Sequence, residues 1–121
     1  MAEFVKFSVP EDLKARQSGL LEKIRKSGKV RVGSNEATKA IERGVAKLVV
    51  IAEDVTPPEI VMHLPLICRE KGIPFSYIST KKGLGQAVGI EVGTAAIAVI
   101  DEGETKKDFA DFTRKLAEVT K

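Results

Sequence analysis

The stretch Leu48-Val49-Val50-Ile51-Ala52 carries no polar side chain and is rich in β-branched residues. A strand with one wet face alternates apolar and polar residues, because successive side chains point to opposite faces. An unbroken apolar strand is therefore an interior one, covered above and below. Ala95-Ala96-Ile97-Ala98-Val99-Ile100 reads the same way. Such strands oblige the rest of the chain to supply covering layers on both sides of a sheet.

The covering elements show as helical periodicity. Leu13, Leu20, Leu21 and Ile24 follow Ser8-Val9-Pro10-Glu11, which has the form of a capping box, and Ser27-Gly28 can stop that helix. Gly19 weakens its middle. Lys29-Val30-Arg31-Val32 alternates and predicts a short half-buried strand. Gly33 permits a tight turn into a helix from Asn35 to Arg43, with Gly44 as its C-cap. Thr56-Pro57-Pro58-Glu59 has the form of a second capping box, opening a helix to about Lys71. Ile60, Leu64 and Ile67 supply its apolar stripe, and Pro65 should bend it or loosen a turn. Phe75-Ser76-Tyr77-Ile78 predicts a strand, Lys81 to Val88 a short glycine-interrupted helix, and Gly89 to Gly93 a loop. Thr105 to Val119 predicts an amphipathic helix carried by Phe109, Phe112, Leu116 and Val119. The expected fold is α/β, a three-layer α/β/α sandwich with a central sheet of about four strands. At 121 residues, with no repeat or linker, the chain is expected to be one domain, 1–121.

A hydrophobic fraction of 43% and a charged fraction of 31% fit a globular chain and exclude a disordered one. The net charge of +3 admits an RNA partner. A non-specific polyanion binder would carry a stronger bias, so shape and specific contacts should matter beside charge. Cys68 is the only cysteine, so no intramolecular disulfide can form and nothing signals an oxidising compartment. Met1 to Lys6 lacks the basic-then-apolar pattern of a signal peptide. No apolar run approaches the roughly 18 residues of a membrane span. The expected location is the cytoplasm, with no membrane partner.

Gly33-Ser34-Asn35-Glu36-Ala37-Thr38-Lys39 says most about function. It sets an amide, a carboxylate and an ammonium on the first turns of one helix. Asn35 and Lys39, and Glu36 and Lys39, become neighbours at helical spacing. Free backbone N–H groups point out of the same helix end. Such a cluster can read base edges: the carboxylate accepts from guanine donors, the amide pairs with either kind of group, and the lysine holds phosphate. An ordinary helix start would show the same residues, with Ser34 as N-cap, Glu36 on the positive dipole end and Lys39 solvated.

Other constellations carry less. Glu53 and Asp54 end an interior strand, where α/β enzymes place catalytic or metal-binding carboxylates. Here they are adjacent, point to opposite faces, and have no third ligand at suitable spacing, so fixing a turn or capping a helix fits them better. His63 lacks an assignable nucleophile or orienting partner, and Cys68 sits among apolar neighbours as a structural thiol. Lys81-Lys82-Gly83-Leu84-Gly85-Gln86-Ala87-Val88-Gly89 could cradle a phosphate, but it has neither the dinucleotide fingerprint nor the Walker spacing. Its glycines equally suit close packing of a short helix. Ile90 and Val92 put apolar side chains in an expected surface loop, where they could cover an unstacked base. Three functions are then open. They are an RNA-binding structural protein, a small nucleotide-dependent enzyme using Lys81 to Gly89 with Glu53 or Asp54 as base, and an adaptor whose apolar loop is the contact.

Taken in order, Gly33 to Lys39, Leu48 to Asp54, His63-Leu64-Pro65-Leu66-Ile67-Cys68, Leu84-Gly85 and Ile90-Glu91-Val92 form one pattern over nearly the whole chain. The chain resembles the L-seven-Ae family of kink-turn RNA-binding ribosomal proteins, its archaeal large-subunit branch in particular. The resemblance implies an α/β/α sandwich that binds a helix–bulge–helix RNA with tandem sheared G·A pairs. It implies a non-enzymatic monomer without cofactor or metal. Its implied RNA partners are ribosomal RNA, box C/D and H/ACA guide RNAs for 2′-O-methylation and pseudouridylation, and ribonuclease P RNA, with other ribosomal and guide-particle proteins alongside. The family's base-reading positions fall on Gly33, Asn35, Glu36 and Lys39. Its pocket for a flipped-out bulge nucleotide falls on Thr56, Ile60 and Lys81, where Thr56 replaces a glutamate of some relatives. Its capping loop falls on Ile90, Glu91 and Val92. Arg31 and Arg43 stand near enough in sequence to engage the converging phosphate backbones.

Overall fold

The structure, a computed structural model, describes residues 4–120, so Met1, Ala2 and Glu3 of the N-terminal hexapeptide lie outside the described residues. The elements run α1 (Glu11–Ser27), β1 (Lys29–Val32), α2 (Ser34–Glu42), β2 (Leu48–Ala52), α3 (His63–Lys71), β3 (Phe75–Ile78), α4 (Lys81–Ala87), β4 (Ala96–Asp101) and α5 (Lys106–Val119). Short 3₁₀ turns, Pro58–Ile60 and Gly103–Thr105, precede α3 and α5. The sheet order is β1-β4-β2-β3. Strand β4 is antiparallel to both its neighbours, while β2 and β3 are parallel and joined through α3.

Every residue of β2 is fully buried, as its apolar run requires. Helix α2 packs on β4 and β1 and against α3, while α1 packs against α4, α5 and β1. These are the two covering layers of the predicted sandwich. Each fully buried Leu or Ile of this core contributes about 1.5–3 kcal/mol relative to exposure. Phe109, Phe112 and Leu116 are the buried stripe of α5, at the predicted spacing. Gly19 lies inside α1 with nothing near its missing side chain, so neither packing nor a turn requires a glycine there.

Two helix starts differ from expectation. Neither capping box forms. Helix α1 begins only at Glu11, with Pro10 in extended geometry as its N-cap. A residue before proline is pushed out of helical conformation, so Val9 cannot join a helix started by Ser8. The single helix expected from Pro58 to Lys71 is instead a 3₁₀ turn followed by α3. Pro65 explains the break, because its ring would clash with the carbonyl four residues earlier, that of Val61. Val61 has left helical geometry (φ −125°, ψ 0°), and Pro65 then falls in the first turn of α3, where a missing N–H costs little. At the end of α2, Arg43 is the C-cap and Gly44 follows it in left-handed geometry (φ +72°). The N–H groups of Gly44 and Val45 donate to Ile41 and Ala40 carbonyls, both at 3.0 Å, which closes the helix in a Schellman turn.

Candidate nucleic-acid interface

Strand directions collect the predicted binding segments at one end of the sheet. There β1 ends at Val32 and gives way to Gly33, whose N–H donates to the Ala96 carbonyl at 2.8 Å. Strand β2 ends beside it, with the Ala52 N–H donating to Ala95 at 2.9 Å. The Glu53 N–H reaches Ile78, the last residue of β3, at 2.9 Å, and the Thr94 N–H reaches the Lys81 carbonyl at 3.1 Å. The Gly33–Lys39 helix start, the Thr56–Ile60 segment, Lys81 and the Ile90–Val92 loop therefore all leave the sheet on the same side.

Gly33 opens α2 with φ +105° and ψ 151°, backbone that only glycine adopts without strain. No side chain caps the helix, so Ser34 is its first residue rather than its N-cap. The first intrahelical bond runs from the Ala37 N–H to the Gly33 carbonyl at 2.9 Å. The three N–H groups before it have no partner inside the helix. Asn35, Glu36 and Lys39 are exposed. Lys39 Nζ stands 3.8 Å from Glu36 Oε1, each side chain about half exposed (57% and 49%). Surface pairs of this kind contribute about 0–1 kcal/mol, so an incoming ligand separates them at little cost.

Arg31, Glu36, Lys39 and Arg43 line one groove of about 250 Å³, over Ala40, Val45 and Ile100. Val45 is 47% exposed. It and Ile100 give the groove an apolar floor that no sequence motif signals, since an isolated valine past a helix end is commonplace. Among the described residues, Arg31 and Arg43 make no ion pair. The groove thus offers unpaired cations around one carboxylate.

The second cluster is more closed. Ile60 (41% exposed) and Thr56 lie on the surface, and Lys81 is half-buried. Asp54 Oδ1 accepts from the Lys81 N–H at 2.8 Å, and Glu53 pairs with Lys14 at 2.9 Å. Asp54 therefore caps a helix, α4 and not α3, while Glu53 ties the end of β2 to α1. Thr80 Oγ1 accepts the Gly83 N–H at 2.9 Å, so protein groups meet two of the three first-turn donors of α4, those of Lys81 and Gly83. Most of the cradle that a phosphate would need there is taken up by protein groups. A Cβ on Gly85 would lie 2.1 Å from the Val92 carbonyl oxygen, so this glycine serves close packing of the loop on α4. Of the loop's apolar pair only Val92 is freely exposed (71%). Ile90, expected at the surface, packs partly on the core because its N–H is drawn to the Gly85 carbonyl at 2.9 Å.

His63, unassigned from sequence, has a structural partner. Thr38 donates its hydroxyl to the Ser34 carbonyl at 2.8 Å. His63 Nε2, 2.7 Å from Thr38 Oγ1, must then be the donor of that pair. The bond ties α3 to α2. Cys68 is buried, and burial pushes its thiol up to about 12, which suits an inert core residue. Among the described residues no group of three or more His, Cys, Asp or Glu side chains is placed to hold a metal ion. No described helix is long and apolar enough to cross a membrane.

Residues 15–109 match the ribosomal protein L7Ae/L30e/S12e/Gadd45 family. The fold is similar to that of the Giardia lamblia 15.5kD RNA binding protein, with 30% sequence identity and a TM-score of 0.90 over 98% of this chain and 99% of the other.

Proposed function

We propose that this chain, which belongs to the ribosomal protein L7Ae/L30e/S12e/Gadd45 family, binds kink-turn RNA and holds it bent. It is a binding protein and not an enzyme. The observation that carries this reading is the open start of α2, from which one groove runs along the helix and sets the exposed Glu36 carboxylate beside Lys39 and two arginines, Arg31 and Arg43, that make no ion pair among the described residues. Phosphate alone would be repelled by Glu36. A sheared G·A pair instead turns guanine donors toward a widened groove, and a carboxylate accepts from them. Asn35 and the free N–H groups of α2 complete the base contacts, and Gly33 lets the RNA approach the backbone. Arg31, Lys39 and Arg43 engage the two phosphate strands that converge at the bend. Thr56, Ile60 and Lys81 receive the flipped-out bulge nucleotide, and Ile90, Glu91 and Val92 cover it. The protein stabilises the bent RNA by its differential affinity for that state.

The loop sequence Ile90-Glu91-Val92 resembles the archaeal branch of the family. That resemblance supports a finer assignment to ribosomal RNA of the large subunit, to box C/D and H/ACA guide RNAs, and to ribonuclease P RNA. Titration against a kink-turn and a copy with its G·A pairs disrupted, at one stated salt concentration, tests the reading. Strong preference for the intact RNA is expected. Equal affinity for both would refute it.

A further inference from the structure

We infer that Asp54 is a positioning residue for the RNA face, holding the bulge pocket and the covering loop in one arrangement through the backbone of Lys81. This rests on the RNA reading above. Lys81 is where three segments distant in sequence meet. Its N–H donates to Asp54 Oδ1 at 2.8 Å, and its carbonyl accepts from the Thr94 N–H at 3.1 Å. Gly93 packs so close that a Cβ there would stand 3.1 Å from the carbonyl carbon and the Cβ of Lys81. One helical turn further on, Gly85 receives the Ile90 N–H and lies under the Val92 carbonyl. The loop is therefore moulded on α4, and the first turn of α4 is set by Asp54.

Asp54 also belongs to the pocket side, two residues before Thr56. The exit of β2 that carries it is pinned by the Glu53 N–H on Ile78 and by the Lys14–Glu53 pair, itself backed by Lys14 Nζ donating to Ser79 Oγ at 3.1 Å. The carboxylate is exposed, so it adds no core packing. What it supplies is an acceptor oxygen for one backbone N–H. Helix α2 is anchored separately, through Gly33 on β4. Breaking the Asp54 bond should disturb recognition of the bulge and leave recognition of the G·A pairs standing.

Wild type, Asp54→Ala and Asp54→Asn are titrated at one salt concentration against three RNAs: the kink-turn, the same RNA abasic at the flipped-out position, and the G·A-disrupted control. Wild type should prefer the intact kink-turn to both others. Asp54→Ala should lose about tenfold of its preference over the abasic RNA and keep its preference over the disrupted one. Asp54→Asn keeps an acceptor oxygen and should retain both preferences. General unfolding would lower all affinities together and leave the ratios in place. An unchanged abasic ratio in Asp54→Ala overturns the assignment, as does an equal loss in Asp54→Asn, since the amide can still hold the N–H. A wild-type protein indifferent to G·A disruption would overturn the RNA reading itself.

Discussion

Helices α2 and α4 both begin where a strand leaves the same end of the sheet, yet α2 leaves its first turn open while protein groups meet two of the three first-turn donors of α4. Ahead of α2 stands Gly33, which has no side chain to fold back on the N–H groups. Ahead of α4 stands Thr80, which caps Gly83, while Asp54 reaches across to cap Lys81. Glycines serve both helices and do opposite things. Gly33 is needed for its positive φ and has nothing within 4 Å of its missing Cβ. Gly85 has ordinary backbone geometry and is needed because the Val92 carbonyl occupies the space. A helix end left unsatisfied by its own protein is available to a ligand, whereas one satisfied internally is scaffold.

The harshest way to break this contrast is to empty the open start of its acceptor. On the proposed reading Glu36 accepts charged hydrogen bonds from guanine, each worth about 1.5–3 kcal/mol. Glu36→Ala should therefore lower kink-turn affinity by about a hundredfold and abolish selectivity over the G·A-disrupted RNA. Glu36 is exposed, so the urea midpoint should hardly move. Retained selectivity would mean that the open start reads nothing. Gly33→Ala comes next. It forces an L side chain into glycine-only backbone at about 1–3 kcal/mol of stability and pushes a methyl group into the approach path. Affinity should fall about tenfold in the same gel-shift series.

How far this was legible in the sequence follows from the range of each interaction. Burial on both faces makes every residue of a strand apolar, so β2 could be read from Leu48 to Ala52 without any partner in view. The same holds for α5, whose Phe109, Phe112 and Leu116 declare a face by spacing alone. The groove beside α2 was half legible: Glu36 and Lys39 are local, but Val45 and Ile100 reach it only through the packing of α2 on β4. Long-range bonds left no mark. Asp54 finds Lys81 27 residues on, and the fully buried Gln17 donates Nε2 to the Tyr77 carbonyl, 60 residues away, at 3.0 Å. Both capping boxes were misread because a prolyl ring overrules the local capping pattern.

The loop sharpens the contrast from the closed side. Val92 is bare and Ile90 half-buried, so replacing both by Ser removes an apolar cover and part of a packing contact. The double variant should lose about fivefold in affinity and, more tellingly, discriminate less among kink-turns that differ at the bulge. Equal discrimination would leave the loop with packing alone.

The gentlest probe is Thr80→Ala. The hydroxyl of Thr80 caps α4, and losing such a cap costs about 0.5–2 kcal/mol, visible as a lowered urea midpoint. Asp54 would still hold the Lys81 N–H, and Thr94 would still hold its carbonyl. The first turn of α4 therefore stays in place, and affinity for the kink-turn should change by no more than about twofold. A larger loss would show that the RNA depends on how the first turn of α4 is capped. The two helices would then differ in degree rather than in kind.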